Sequence, residues 1–419
     1  MKHTLPLVAT LILGIAAACQ PAVAPPSTET PPAAAASRST FADDLAFLKS
    51  HAPIRVLTAP SGALVAVSAT YQGRVMTSAV EASGASLGWI NRAFITAGKT
   101  GTAFDNYGGE DRFWLGPEGG QYGLYFPPGK PFDFAEWRTP AALQEGAWQE
   151  SDASSDQAAF TRTMEVLNHS GARFVLEVER RVRLLSDVDV AKHLGIDLPA
   201  ARADGAKWVA FETVNRITNR GSKAWTRDHG LLSIWILAMY APSADAHVVV
   251  PFERSGTGPI VNDAYFGKVP PDRLAVREAE GYLVFKCDGL LRSKIGLRPS
   301  RARDVLGSYS ATARLLTLVH YDKPAATRDY VNSMWDLQKE PYGGDVVNSY
   351  NDGSPGPGLP PLGGFYELET SSPAAALGPG QSLVHTHRTF HFVGERPALD
   401  AIATRVLGVS ASRIAEGVR

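Results

Sequence analysis

The chain has 419 residues, with 41 Lys and Arg against 42 Asp and Glu and a formal net charge of −1. Charge so balanced creates no field that would recruit nucleic acid or an acidic membrane surface, and it points instead to a neutral polar ligand, for which eight Trp and ten His are suited. The length allows one large all-β unit or two ordinary domains, with an ample core in either case.

The first residues, MKHTLPLVATLILGIAAAC, place Lys2 before an apolar run from Leu5 to Ile15 and then small residues up to Cys19. That run is too short to span a bilayer and has the layout of a secretory signal over residues 1–18. Ala16, Ala17 and Ala18 before Cys19 are similar to a bacterial lipoprotein cleavage box, except that Ala16 stands where Leu is usual. The similarity implies that Cys19 becomes a lipidated first residue and that the protein is exported to the cell envelope, touching the membrane through that anchor only. Ordinary signal cleavage near the same alanines is the alternative. Residues 19–39 are rich in Pro, Ala, Ser and Thr and lack apolar periodicity, so they are expected as an extended tether. Cys287 lies in the apolar stretch GYLVFKCDG and is expected as a buried, inert thiol. With Cys19 lipidated no internal disulfide forms, and the fold rests on its core.

A short helix is expected around Phe41 to Ser50, and residues 40–419 then read as a single domain. Strands of about 5 to 10 residues follow, divided by Gly, Pro, Asn and Asp. ALVAVSATY, RFVLEVERRVRLL, KWVAFETVNRITN, GLLSIWILAMY, HVVVPF, GYLVFKC and ARLLTLVHY are examples. Phe174, Leu176 and Val178 face one way while Val175, Glu177 and Glu179 face the other, as in a half-exposed sheet. Leu231 to Tyr240 is apolar on both faces and suits the centre of a sandwich. From Pro397, Leu399, Ile402, Val406 and Val409 have helical spacing and predict a closing helix. No fixed repeat argues for a propeller or a β-helix. The expected fold is therefore all-β, a large antiparallel β-sandwich with a short C-terminal helix.

Two stretches could carry chemistry. In NYGGEDRFWLGPEGGQYGLYF, Gly-Gly pairs flank a run in which Glu110, Arg112 and Trp114 share strand parity. Glycine lets backbone approach a ligand, Trp offers a flat apolar face and Arg a fork of donors, a set that recognises a sugar. The same residues also suit a plain hairpin in which Arg112 pairs with Glu110 or Glu118. The second stretch, from Tyr350 to Phe392, reads as a Gly/Pro-rich loop and a hairpin. In its GFYELET strand Glu367 and Glu369 share a face roughly 6.5 to 7 Å apart, where partial desolvation disfavours double ionisation and can poise one as a base. A solvated acidic face is the competing explanation. Asn351, at the entry to the loop, is a candidate sugar contact. His385, His387 and His391 share a face of the next strand, with Phe390 and Phe392 opposite. Two histidines at i, i+2 could ligate a metal only with a third ligand that the sequence does not specify, and a sugar- or solvent-facing strand is the simpler expectation. No cofactor is implied.

LETSSPAAALGPGQSLVHTHRTFHF resembles the C-terminal signature of galactose mutarotase-like proteins, and GGEDRFWLGPEGG is similar to a Gly-Gly, Arg, Trp, Pro-Glu signature of bacterial lipoprotein members of that superfamily. The resemblance implies a supersandwich whose concave face binds a carbohydrate, as a monomer. Glu369 stands at the position of the aldose 1-epimerase base, which takes the anomeric proton while a histidine protonates the ring oxygen. The nearest match to that histidine is His229 in NRGSKAWTRDHGLLSIW, without the Tyr-Phe-Asn that should follow, and His320, His385 and His387 are rivals. On this reading Glu369, Glu367 and His229 do the chemistry, and Arg112, Trp114, Glu118, Asn351, His385 and His387 hold the sugar. A non-catalytic glycan-binding lipoprotein with the same face is the alternative.

Overall fold

The computed structural model describes Met1 and residues 39–419 apart from 99, 102 and 326–328, so the expected signal, Cys19 and nearly all of the tether lie outside the described residues. The strands in chain order begin with β1 (Arg55–Thr58), β2 (Leu64–Ser68), β3 (Arg74–Ala79), β4 (Arg112–Gly116), β5 (Gln149–Ala153) and β6 (Gln157–Leu167). There follow β7 (Arg173–Leu184), β8 (Lys207–Asn219), β9 (Ser233–Tyr240), β10 (His247–Pro251), β11 (Leu274–Arg277) and β12 (Tyr282–Lys286). The last are β13 (Ser293–Leu297), β14 (Val305–Ser310), β15 (Leu315–Tyr321), β16 (Val347–Asn351), β17 (Tyr366–Ser371) and β18 (Ser382–Val393). They form an antiparallel ten-stranded sheet, β11-β12-β10-β14-β15-β18-β8-β7-β6-β5, an antiparallel five-stranded sheet, β13-β16-β17-β9-β4, and a small sheet of β1, β2 and β3.

The alternation read in the sequence decides the layering. Along β7, Phe174, Leu176 and Val178 are buried while Val175 and Glu177 are half-buried and Glu179 is exposed. All eight residues of β9 are buried, because β9 runs between β4 and β17 and is covered on both faces. Its Ala238 and Tyr240 pack with Tyr366 and Leu368 of β17 against Val248, Val250, Leu283, Leu306 and Val319 of the large sheet, which makes the inter-sheet core. The outer face of the large sheet is closed by helices. Arg396–Leu407 and Ala411–Ala415, separated by Gly408 in the left-handed region (φ 76°), lay Leu399, Ile402, Leu407 and Ile414 on Leu316, Leu318, Phe390 and Phe392. The N-terminal helix Phe41–Lys49 begins on a capping box from Thr40 and Asp43. A helix at Asp187–Leu194, which sequence reading passed over, starts on a like box from Ser186 and Asp189 and ends at Gly195.

The segment expected as one hairpin is divided between the two sheets. β17 belongs to the five-stranded sheet and β18 to the ten-stranded one, so residues 372–381 cross the sandwich. The histidines of β18 consequently face neither sugar nor solvent. His385 Nε2 and His387 Nδ1 lie 2.8 and 2.9 Å from Thr370 Oγ1. His391 Nδ1 lies 2.8 Å from Thr317 Oγ1, and its Nε2 lies 2.6 Å from the Glu110 carboxylate, which also accepts from Ser78. Beside them Arg180 is fully buried, donating to Asp111 at 2.5 Å, to Asn215 at 2.6 Å and to the Gly73 carbonyl. The inter-sheet core thus contains a polar seam whose charges are paired, as burial requires.

Burial lowers His385 to about 3, with His387's charge adding to the effect. Burial likewise lowers His387 to about 4, against the opposing pull of Asp111. Both rings are therefore neutral in the fold, whereas in the unfolded chain each takes a proton near pH 6.5. Their contribution is complete above about pH 6.5 and is lost as pH falls towards 4 and 3, on the order of a few kcal/mol. Glu118, Glu367 and Asp345, whose carboxyls burial raises, act in the opposite direction. In urea titrations from pH 7.5 to 4 the parent should lose stability relative to His387→Gln, in which that histidine's contribution is absent. The same change with pH in parent and variant would remove His387 from the effect.

Candidate functional site

The outward face of the five-stranded sheet is the floor of a cavity, and strand register decides which side chains reach it. Glu369 pairs with Leu237, which pairs with Arg112; Glu367 pairs with Tyr350, which pairs with Lys294; and Trp235 pairs with Trp114. Period two then sends Glu367 and Glu369 to the cavity face and Tyr366, Leu368 and Thr370 to the inter-sheet core. The interior measures about 50 Å³, room for a few water molecules, and about 460 Å³ when its open mouth is counted. A group the size of a sugar ring fits the mouth only, and the interior has room for one small polar group.

Two ion pairs cross the floor. Arg112 donates to Glu367 at 2.6 Å and Lys294 to Glu369 at 2.9 Å, every partner at most 5% exposed. Glu369 also accepts from Trp235 Nε1 at 2.9 Å, and its second oxygen has no partner among the described residues. Arg112 lies 4.1 Å from the Trp114 ring centre and 5.0 Å from that of Phe104, and Lys294 Nζ lies 4.7 Å from Trp235. The guanidinium uses one nitrogen on Glu367; Nε and Nη1 are buried without a partner, as is Trp114 Nε1. Glu118 comes from the loop after β4 and accepts from Trp137 Nε1 at 2.9 Å.

Burial sets the protonation of this cluster. It raises the Glu118 carboxyl against the pull of Lys294. It raises Glu367 as well, with the Arg112 charge opposing and Glu369 adding to the rise. It depresses Lys294, but the charges of Glu369, Glu118 and Glu367 outweigh that and hold the ammonium above its ordinary value. Glu118 and Glu367 line the cavity and are held nearer neutral pH than ordinary carboxylic acids, which is the condition for proton exchange with a ligand.

The walls are aromatic. Trp137 stacks with Tyr125, Phe134 and Trp335 at interplanar angles of 14°, 6° and 20°. Half-buried Phe134, Phe266, Trp335 and Leu362 form the rim with Arg292, whose guanidinium carbon lies 3.6 Å from the Phe266 ring centre. The Gly/Pro-rich loop is tied to this rim by Asp352. Its carboxylate accepts from the amides of Leu362, Gly363 and Gly364 and from Tyr350 OH, which brings Leu362 and Phe365 over the floor.

Arg112, Trp114, Glu118 and Glu367 are thus brought together on the cavity lining, and Glu369 lies under it, fully buried. Trp114 is 3% exposed and covered by Arg112, so its ring is a support, and among the lining tryptophans only Trp335 is half-buried instead of buried. Other expected contacts lie elsewhere. His229 is exposed in a turn beside Thr226, outside the lining. Asn351 has inward parity; it accepts from Gly289 N and donates to the Leu291 carbonyl, closing a loop. His385 and His387 belong to the seam behind the floor, and so does Glu110, which precedes β4 and pairs with His391 instead of Arg112. Sequence reading missed Lys294, Trp235, Trp137, Trp335 and Arg292. A lysine inside SKIGL was a readable sign and Trp235 stands within the apolar run of β9, whereas Trp137, Trp335 and Arg292 come from loops whose path only the tertiary structure gives.

Removing one partner of a buried pair strands the other charge, at a cost of about 3–5 kcal/mol, while replacing both with apolar groups is near neutral. Lys294→Met should lower unfolding free energy by about that amount, and adding Glu369→Leu should restore most of it. Urea titration checks this, and a single variant as stable as the parent would show the pair to be unimportant.

The chain is similar, over about four-fifths of its length, to solved structures of galactose mutarotase-like proteins. A provisionally assigned aldose 1-epimerase from Escherichia coli K12 shares 11% identity at TM-score 0.48, with 82% of this chain and 99% of that one covered. A galactose mutarotase-like protein from Lactobacillus casei shares 10% at 0.43, with 81% and 100% covered. A galactose mutarotase related enzyme from Lactobacillus acidophilus shares 9% at 0.43, with 82% and 97% covered. No curated protein matches the sequence. A family model matches residues 39–418, and the chain belongs to that family, described as a family of unknown function (DUF6786).

Proposed function

We propose that the protein binds a carbohydrate in the cavity on the outer face of the five-stranded sheet, and that Glu118 and Glu367 exchange protons with it. The observation that carries this reading is the combination, in one cavity, of aromatic walls with both carboxylates and the unpartnered donors of Arg112 and Trp114. A sugar ring has C–H faces that pack on aromatic rings and hydroxyls that both donate and accept, which is what these walls and this floor offer. Trp335 is the platform and Arg112 steadies Glu367. The Lys294–Glu369 pair fixes the charge below. Epimerase-type chemistry with a histidine acid finds no support, because no histidine among the described residues lines the cavity. Glu118 in its carboxylic acid form takes that role, and Glu367 as carboxylate the role of base.

A non-catalytic glycan-binding role is the second reading, favoured by the 2.6 Å Arg112–Glu367 contact, which occupies an oxygen a base would use. A glycan array followed by an anomerisation assay on the hits separates the two. Trp335→Ala should weaken binding at least 10-fold, about 1.4 kcal/mol, by calorimetry; unchanged affinity would exclude it as the platform. Glu367→Gln and Glu118→Gln should each abolish turnover while binding survives, and turnover at the parental rate in both would leave the binding reading alone.

The N-terminal sequence supports export and anchoring through Cys19. Mass spectrometry of the mature protein should find a lipid-modified Cys19 at the N-terminus, and an unmodified residue beyond it there would refute the anchor.

A further inference from the structure

The donors and acceptors around the cavity do not balance. Among buried side-chain atoms, Arg112 Nε and Nη1, Trp114 Nε1, Trp335 Nε1 and Arg292 Nε are without partners, against one such acceptor, Glu369 Oε1, below the lining. The charges are also unequal in their pairing. Arg112 is taken by Glu367 and Lys294 by Glu369, whereas Arg292 makes no ion pair or hydrogen bond with any described residue. It stands at the rim, its planar group held among Phe266, Phe134 and Trp335 at 3.6, 5.1 and 5.3 Å from their ring centres. Such a cage holds a guanidinium by its faces and leaves its N–H edge for a ligand.

We propose, resting on the sugar-binding reading above, that the preferred ligand is an acidic sugar whose carboxylate is received by Arg292 and Arg112. A carboxylate supplies about four acceptor sites and no donor when ionised, which matches the surplus of N–H groups, and a planar fork of donors suits it geometrically. It is also small enough to be the group sent into the narrow interior. A phosphate offers the same acceptors with up to twice the charge. With the carboxylates of Glu367 and Glu369 close by, that second charge raises the repulsion in proportion, so the singly charged group is favoured.

Calorimetry tests this with the uronates of glucose, galactose and mannose, the three parent hexoses and the three hexose 6-phosphates. At least one uronate should bind 10-fold or more tightly than its parent hexose and than its phosphate. In Arg292→Gln the ratio of uronate to hexose affinity should fall about 10-fold, and Arg292→Lys should recover part of it. Equal affinity for uronate and hexose, a preference for phosphate, or a ratio unchanged in Arg292→Gln would overturn the acidic-sugar inference while sugar binding itself stands. Failure of all nine sugars to bind would bring down both.

Discussion

Two buried ion pairs, Arg112–Glu367 and Lys294–Glu369, are the constraint around which the cavity is organised. Four charges on the alternate strands β13, β17 and β4 of one sheet can lie under a cavity because each is matched within hydrogen-bond distance, and Arg112, Lys294 and Glu369 are met in addition by an aromatic ring or an indole N–H. Their mutual compensation fixes β4, β9, β17, β16 and β13 in one register. A slip of one residue in β17 would send both carboxylates into the apolar inter-sheet core.

The other face of β17 carries an equal demand. Thr370, adjacent in sequence to Glu369, meets His385 and His387 from the opposite sheet, and burial holds those rings neutral. One six-residue strand therefore serves the cavity with alternate residues and the polar seam with the rest. The titratable groups that are close in sequence from Glu367 to His391 form two separate systems back to back, and only the first touches the cavity.

Much of this could be read from the sequence, for identifiable reasons. Alternation along Phe174 to Glu179, the continuous apolar run of β9 and the helical spacing after Pro397 report burial directly, and strand parity correctly joined Glu367 with Glu369 and Arg112 with Trp114. What parity cannot give is which sheet a strand joins. β17 and β18 looked like a hairpin because a Gly-Pro turn separates them, yet the intervening residues cross the sandwich, and that crossing reverses the meaning of the histidines. The rim residues Phe134, Arg292 and Trp335 come from segments with no periodic signal, and they meet only through long-range packing.

The double duty of β17 also bears on how this molecule could diverge. Exchanging a floor residue disturbs a charge pair and, through the backbone, the seam behind it, so inherited change in ligand preference has few openings there. The Gly/Pro-rich segment from 353 to 364 is different: it is fastened at its end by amides on the Asp352 carboxylate, and backbone amides are indifferent to side-chain identity. Its exposed positions, Leu359 among them, are free to vary while the tie persists, and lineages of this family should diversify at the brim before they touch the basin.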